Sequence, residues 1–333
     1  MKTTRVVIVT ALAMVCQLGC DGSKPALDRS TLGAQPTTSQ ASMSPAQERR
    51  LKELHEILER LNERIRRVSR DEVAKTMSSS DLPLLACLLT DDQIGHIAVD
   101  AMGHLDPDAS ILLMIQYLPR CPRNSATWVM YFLQRQVDKV AFPRAQLRVA
   151  LLELFSRIDH DDVWEVALDT FGMVAKHEDL PTLRALREKW EKELAAETYE
   201  PRRIWLNRKL TADQRALARL GDERATKEIL AELQTPLVNN FFALSTLSMG
   251  AGKAAYSRQV VFVPALVHIL EQEMPQEPLA MCGCLYPGNP HFSAIEALCA
   301  IITKDQQPKD AEDWDKKRAV WLQWWEHREH HTD

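Results

Sequence analysis

The sequence predicts an all-α fold built of stacked helical hairpins. Three observations carry this. Apolar residues recur at spacings of three and four along most of the chain, the period of one helix face. Glycine is scarce, at 11 of 333 residues, and β-branched and aromatic residues seldom alternate with polar ones, so strand signals are weak. Prolines stand just inside segment starts, where a helix tolerates a missing N–H. With 45% hydrophobic and 26% charged residues, the chain has apolar matter for an extended core.

The N-terminus reads as an address. Lys2 and Arg5 precede an uncharged apolar run, Val6 to Val15, too short to span a bilayer as a lasting helix. Gly19-Cys20 follows it. This end resembles the bacterial lipoprotein signal, in which a small residue precedes a cysteine that becomes lipid-modified. The resemblance implies export, lipidation of Cys20 and a membrane-anchored protein on the periplasmic or extracytoplasmic face. Each buried CH₂ of a lipid contributes about 0.8 kcal/mol to such an anchor. The alternative is ordinary cleavage that leaves Cys20 a thiol. Residues 20–44 are rich in Ser, Thr, Pro, Gly and Gln without periodicity, and read as a flexible tether.

Ser44-Pro45 is a helix start. Leu51, Leu54, Leu58, Leu61, Ile65 and Val68 then alternate spacings of three and four, with charged residues on the outer faces. The stripe lasts under about three heptads, short for a coiled coil. It reads first as an amphipathic helix capping the next layer, and leaves a homodimer through Leu51, Leu54, Leu58, Leu61 and Ile65 open.

Helices follow in series. Asp81-Leu-Pro83 opens one. Ile94 to Leu105 stripes a second and Asp106-Pro107 starts a third. Trp128 to Val137 and Leu147 to Phe155 mark two more. Val163, Val166, Ala167, Thr170, Phe171 and Val174 form a stripe broken at Lys176–Asp179. Pro181 then opens a second stripe, carried by Leu180, Leu183, Leu186, Arg187 and Trp190. Pro201 interrupts the charge-rich stretch after it, and Thr211 with Gln214 three residues on predicts a capping box at a fresh helix. Gly250-Ala-Gly252-Lys253 reads as a flexible loop, and lacks the spacing of a phosphate loop. Val260–Glu273 and Phe292–Ile302 close the regular series.

Three stretches echo one another: AVDAMGHLD, ALDTFGMVAK and ALARLGDERA. They place Gly103, Gly172 and Gly221 near helix ends. Together with the DLPTL-type starts they resemble HEAT repeats, the paired-helix units of α-solenoids, over roughly residues 80–190 and 210–305. The resemblance implies a stack in which each hairpin buries its stripes against its neighbours. Asp313 to Trp325 holds half of the chain's eight tryptophans. It reads as a helix sealing the last repeat, with Trp321, Trp324 and Trp325 the candidates for a partner contact.

The expected organisation is a leader (1–19), a tether (20–44), an amphipathic helix (45–77), a HEAT-like solenoid (78–305) and a C-terminal capping helix with a polar tail (306–333).

Chemistry is sparse. No GxSxG, HExxH or paired CxxC occurs, so no catalytic residue or cofactor site is named. Cys282, Cys284, His291 and Cys299 are the weak candidates for a metal cluster, with thiolate and imidazole ligands of the kind zinc takes. Disulfide formation by Cys282 or Cys284 competes in an exported protein. His160, Asp161 and Asp162 read as helix-start residues, and His327, His330 and His331 as a polar tail. Net charge is −5, and −7 once a leader holding only Lys2 and Arg5 is removed, which argues against nucleic acid. The expectation is a non-catalytic protein-binding or scaffolding envelope lipoprotein. The alternative is a metal-binding or enzyme-like solenoid using the Cys282/Cys284/His291/Cys299 cluster.

Overall fold

In the computed structural model, residues 43–63, 70–158, 161–238, 240–274, 289–309, 311 and 313–329 are described. The chain divides into Met1–Met43 and Ser44–Asp333, and every helix below belongs to the second unit. Among the described residues there are fifteen α-helices, four short 3₁₀ turns and no strand, so the all-α expectation holds. The helices are α1 (Pro45–Glu63), α2 (Arg70–Thr76), α3 (Leu82–Leu88), α4 (Gly95–Leu105) and α5 (Pro107–Tyr117). Then come α6 (Arg123–Gln136), α7 (Arg144–Phe155), α8 (Asp161–Val174), α9 (Leu180–Ala196) and α10 (Glu200–Arg219). The last are α11 (Glu223–Leu233), α12 (Phe241–Ser257), α13 (Val263–Glu271), α14 (Pro290–Ile301) and α15 (Trp314–Glu329). No described helix is long and apolar enough to cross a membrane.

The packing follows chain order. Every even-numbered helix from α2 to α14 packs on the next even one. Among the odd helices, α1, α3, α5 and α7 pack in sequence, as do α11, α13 and α15. Consecutive helices close most of the hairpins between the two rows. Short connections force this: a helix that turns back within a few residues lies beside its predecessor. One continuous set of buried side chains runs from Leu54 to Trp321.

Helix starts repeat a device. A 3₁₀ turn, Ser79–Asp81, leads into Leu82-Pro83, and another, His177–Asp179, leads into Leu180-Pro181. In each the buried aspartate accepts from the backbone N–H three residues back: Ser78 to Asp81 at 2.9 Å and Lys176 to Asp179 at 2.8 Å. In each an arginine 31 residues upstream grips both carboxylate oxygens. Arg50 holds Asp81 at 2.9 and 2.8 Å, and Arg148 holds Asp179 at 2.7 and 2.5 Å. The bidentate pairs tie α1 to the start of α3 and α7 to the start of α9. The third such turn, Val260–Phe262 before Val263-Pro264, has buried Phe262 in place of the aspartate.

Two expectations fail. Thr211 and Gln214 do not begin a helix, because α10 runs unbroken from Glu200 to Arg219. Pro201 lies in its first turn, where proline starts a helix and does not stop one. The Gln214 side chain is buried and donates to Glu228 instead of capping. Gly250–Lys253 is not a loop either. It lies within α12, where Gly250 brings the helix close to α11: an added Cβ would sit 3.1 Å from Glu232 Cβ and 3.3 Å from Leu233 Cδ2. Lys253 is buried and pairs with Glu232 at 2.5 Å.

Two of the three echoing glycines, Gly103 and Gly172, sit at close helix contacts. A Cβ on Gly172 would lie 2.5 Å from the Tyr256 hydroxyl and 3.0 Å from Ala216. One on Gly103 would lie 2.8 Å from the Phe132 ring. Gly221 instead takes φ +85° just past α10, the left-handed residue that ends many helices.

Candidate functional site

Several of the deepest charged groups among the described residues, Asp213, Asp222 and Lys209, gather around α10. Its flanks differ, and each is a candidate site.

On one flank α9 packs on α10, and arginines bridge it to α11. Arg184 reaches Asp222 at 2.7 Å. Arg187 donates to Glu191 at 2.9 Å and to Glu228 at 2.6 Å. Arg224 returns from α11 to Glu191 at 2.6 Å. These long bridges leave an open groove of about 740 Å³ lined by both helices, with Leu180 and Leu217 among its apolar walls. Behind Arg187 lies Asp213, fully buried, with no hydrogen-bond partner on either carboxylate oxygen. The Arg187 Nη1 is also buried without a partner. Burial raises the Asp213 pKa well above the usual carboxylate range; Arg187 opposes this, and Asp222, Glu191 and Glu228 reinforce it. Asp213 is therefore a neutral acid over the lower pH range.

On the other flank α8 and α12 meet α10. Arg215 grips Asp169 through two bonds, at 3.1 and 2.8 Å, with Glu165 at 3.6 Å. Burial lifts the Asp169 carboxyl to about 6, against the pull of Arg215. The Tyr256 hydroxyl donates to the Asp169 carbonyl across the gap that Gly172 leaves. Burial also raises that phenol's pKa. The Arg215 and Arg219 guanidinium carbons lie 6.0 and 5.3 Å from the Tyr256 ring centre. Arg219 donates to the Tyr256 carbonyl at 2.6 Å. Two residues on, Arg258 leaves α12 in the left-handed conformation, φ 55°, and pairs with Asp138 at 3.3 Å. Asp138 lies just past α6, so this contact spans α8 and α10 in the row. Helices packed side by side stand about 8–10 Å apart. A straight row would put α6 and α12 beyond the reach of one ion pair, so their C-terminal ends converge.

An aromatic set joins the flanks. Phe155 and Trp164 stack at 5.1 Å, and Trp190 meets Trp164 edge-on at 5.1 Å. The buried Lys209 ammonium lies 5.6 Å from the Trp190 ring centre.

The residues singled out by sequence fall elsewhere. Cys20, Cys282, Cys284, His160, His330 and His331 lie outside the described residues, as do the side chains of Asp161 and Asp162. His291 and Cys299 both lie on α14, eight residues apart and so about 12 Å along the axis, and the structure does not bring them together. The His291 Nε2 lies 3.0 Å from the Gln272 carbonyl, and burial, then Arg318, lowers its pKa. Cys299 is exposed. No group of His, Cys, Asp and Glu able to hold a metal occurs among the described residues. Trp321 is buried, with Trp324 and Trp325 packed partly against the core. The Trp324 indole donates to the Gln306 carbonyl at 2.7 Å. Leu54 and Leu58 are buried within the chain, where α1 packs on α3 and α4, with Leu51 and Leu61 partly covered. Ile65 is outside the described residues.

Sequence reasoning missed Arg187, Asp213, Asp169, Arg215 and Tyr256 as site residues. Asp213 carried one signal: it stands between apolar residues at Ala212 and Ala216–Leu217, where a solvated charge is out of place. The others became visible only once distant helices were placed side by side. Comparison of the chain with protein-family models, with curated proteins and with solved structures gave no match. The chain's own geometry and sequence therefore carry the functional reading.

Proposed function

We propose that this chain is a HEAT-like α-solenoid, exported and anchored through a lipidated Cys20, that binds or scaffolds another protein at the bacterial envelope. One observation carries the reading: each even helix from α2 to α14 packs on the next even one. Such a row offers one extended face drawn from many hairpins, the surface repeat proteins use for partners. Starts built on Asp81-Leu-Pro83 and Asp179-Leu-Pro181 support the repeat reading, and the charged, apolar, Gly19-Cys20 leader supports the anchor. The tryptophans of α15 serve as a seal on the last hairpin, and the stripe of α1 as a cap on the first.

Cross-linking in native envelopes, followed by purification of the full chain, tests this. A reproducible protein partner is expected. Recovery of the chain alone across cross-linker lengths would overturn the scaffold reading. In the same cells Cys20→Ala should move the chain from the membrane to the soluble fraction, and unchanged membrane association would rule out lipidation as the anchor.

A further inference from the structure

The converging ends of the even row hold an excess of positive charge. Arg219 is fixed by the Tyr256 carbonyl, Arg258 follows Tyr256 by two residues, and Arg258 reaches Asp138. Next to Asp138 is Val137, whose carbonyl accepts from Arg144 at 3.0 Å. Three arginines from α7, α10 and the end of α12 are thus linked through neighbouring residues, and the carboxylate among them is Asp138. Lys139, beside Asp138, turns away to Asp108 at 2.5 Å.

A structural explanation covers part of this. Helix C-termini carry about half a negative charge each and attract arginine. It accounts for the single N–H that Arg144 and Arg219 each spend on a carbonyl. It does not account for the rest, since a guanidinium has five donors and each arginine brings a full charge. The three stay close despite mutual repulsion. Burial, together with Arg258 and Arg144, lowers the Arg219 pKa from its ordinary value, although Asp138 counters it.

Three exposed valines flank the cluster in sequence. Val140, two residues after Asp138, is fully exposed, and Val260 and Val261, just after Arg258, are 66% and 50% exposed. Exposed valines around an arginine cluster fit a ligand with both acidic and apolar groups.

We propose that Arg144, Arg219 and Arg258, with Val140, Val260 and Val261, form a docking site for an acidic, leucine-type segment of a protein partner. The proposal rests on the protein-binding reading above and names the partner's chemistry. Planar guanidinium groups pair with carboxylates through two parallel bonds. The chain's net charge of −5 repels acidic partners in general, so a local cationic patch would also fix where such a segment lands.

Fluorescence polarisation on the full chain tests it. The probe is a labelled synthetic peptide of glutamate and leucine, with a glutamine-for-glutamate peptide as control. The glutamate peptide should bind more tightly, and more so at low salt. Arg144→Glu with Arg258→Glu should weaken it by about a hundredfold, since each lost charge pair is worth about tenfold. Both arginines are exposed, and an unchanged thermal melt would show the variant folded. Equal binding of the two peptides, or equal binding by the variant, overturns the site. Competition by inorganic phosphate at matched ionic strength also overturns it, in favour of a phosphate site. Peptide failure with envelope cross-linking intact removes this site alone. Failed cross-linking with peptide binding intact removes only the wider reading.

Discussion

Asp179 and Asp213 are both buried aspartates of neighbouring helices, and their surroundings send them in opposite directions. Asp179 stands at the start of α9, accepts from the Lys176 N–H, and is held by both arms of Arg148. Burial pushes its carboxyl up, but those donors outweigh burial and leave it below the usual range. Asp213 stands inside α10, where the local N–H groups are already spent on the helix, and neither oxygen has a partner. Burial wins there. A buried carboxylate therefore stabilises where backbone donors are left over, at a helix start, and burdens the fold where the helix has consumed them.

The largest effect should come from removing the well-served partner. Asp179→Ala leaves Arg148 with Glu178, at 2.9 Å and largely exposed, and the Lys176 N–H without its acceptor. Breaking such a buried pair from one side costs about 3 kcal/mol or more. Urea denaturation should show that loss, and Arg148→Met added to Asp179→Ala should recover part of it. A loss below about 1 kcal/mol, the scale of a surface pair, would remove the contrast with Asp213.

Removing the ill-served one should do the reverse. Asp213→Leu deletes an unsatisfied buried group and should stabilise the chain by about 1–3 kcal/mol near neutral pH. The sign of the pH dependence follows from the raised pKa. A group that holds its proton more tightly when folded supports the fold below its unfolded value of 3.8, and that support is lost as pH rises through the folded value. The stability gap between variant and parent should open above about pH 4 and widen upward. Asp169, at about 6, erodes stability in the same direction over the lower part of that window in both proteins, so it cancels in the difference. A gap that is constant with pH would mean that the Asp213 carboxyl holds its proton equally in the folded and unfolded chain.

How far this was legible before folding differs between the two residues. The helical class was written in the three-and-four spacing, and the stripe of Val163, Val166, Ala167, Phe171 and Val174 is buried as that spacing requires. The start at Asp179-Leu-Pro181 was readable from local chemistry. The arginine that serves it lies 31 residues away, and the equal offset of Arg50 from Asp81 is a recurrence that reading for apolar periodicity passes over. Local rules also misplaced a start at Thr211, because a capping box is defined by two residues and α10 by twenty. The polar line from Asp169 to Arg258 depends on α8, α10 and α12 lying side by side, a relation of tertiary packing that no local window contains.

Asp81 gives the smallest and most discriminating effect, because it repeats the Asp179 device with one difference. Arg50 is 33% exposed where Arg148 is 20% exposed, and it also serves Glu53 at 3.1 Å and the Thr76 carbonyl at 2.9 Å. The Arg50 hydrogen bonds, ahead of burial, keep the Asp81 carboxyl low. After Asp81→Ala, Arg50 would keep water and two other partners, so little charge is stranded. The expected loss is that of a hydrogen bond to a charged group, about 1.5 kcal/mol, roughly half the Asp179 effect. It should fade as pH falls through the lowered folded value of Asp81, because only the ionised form is held. Equal losses for Asp81→Ala and Asp179→Ala would show that the aspartate's place at the helix start sets the energy. A smaller loss at Asp81 would show that the solvent access of its arginine does.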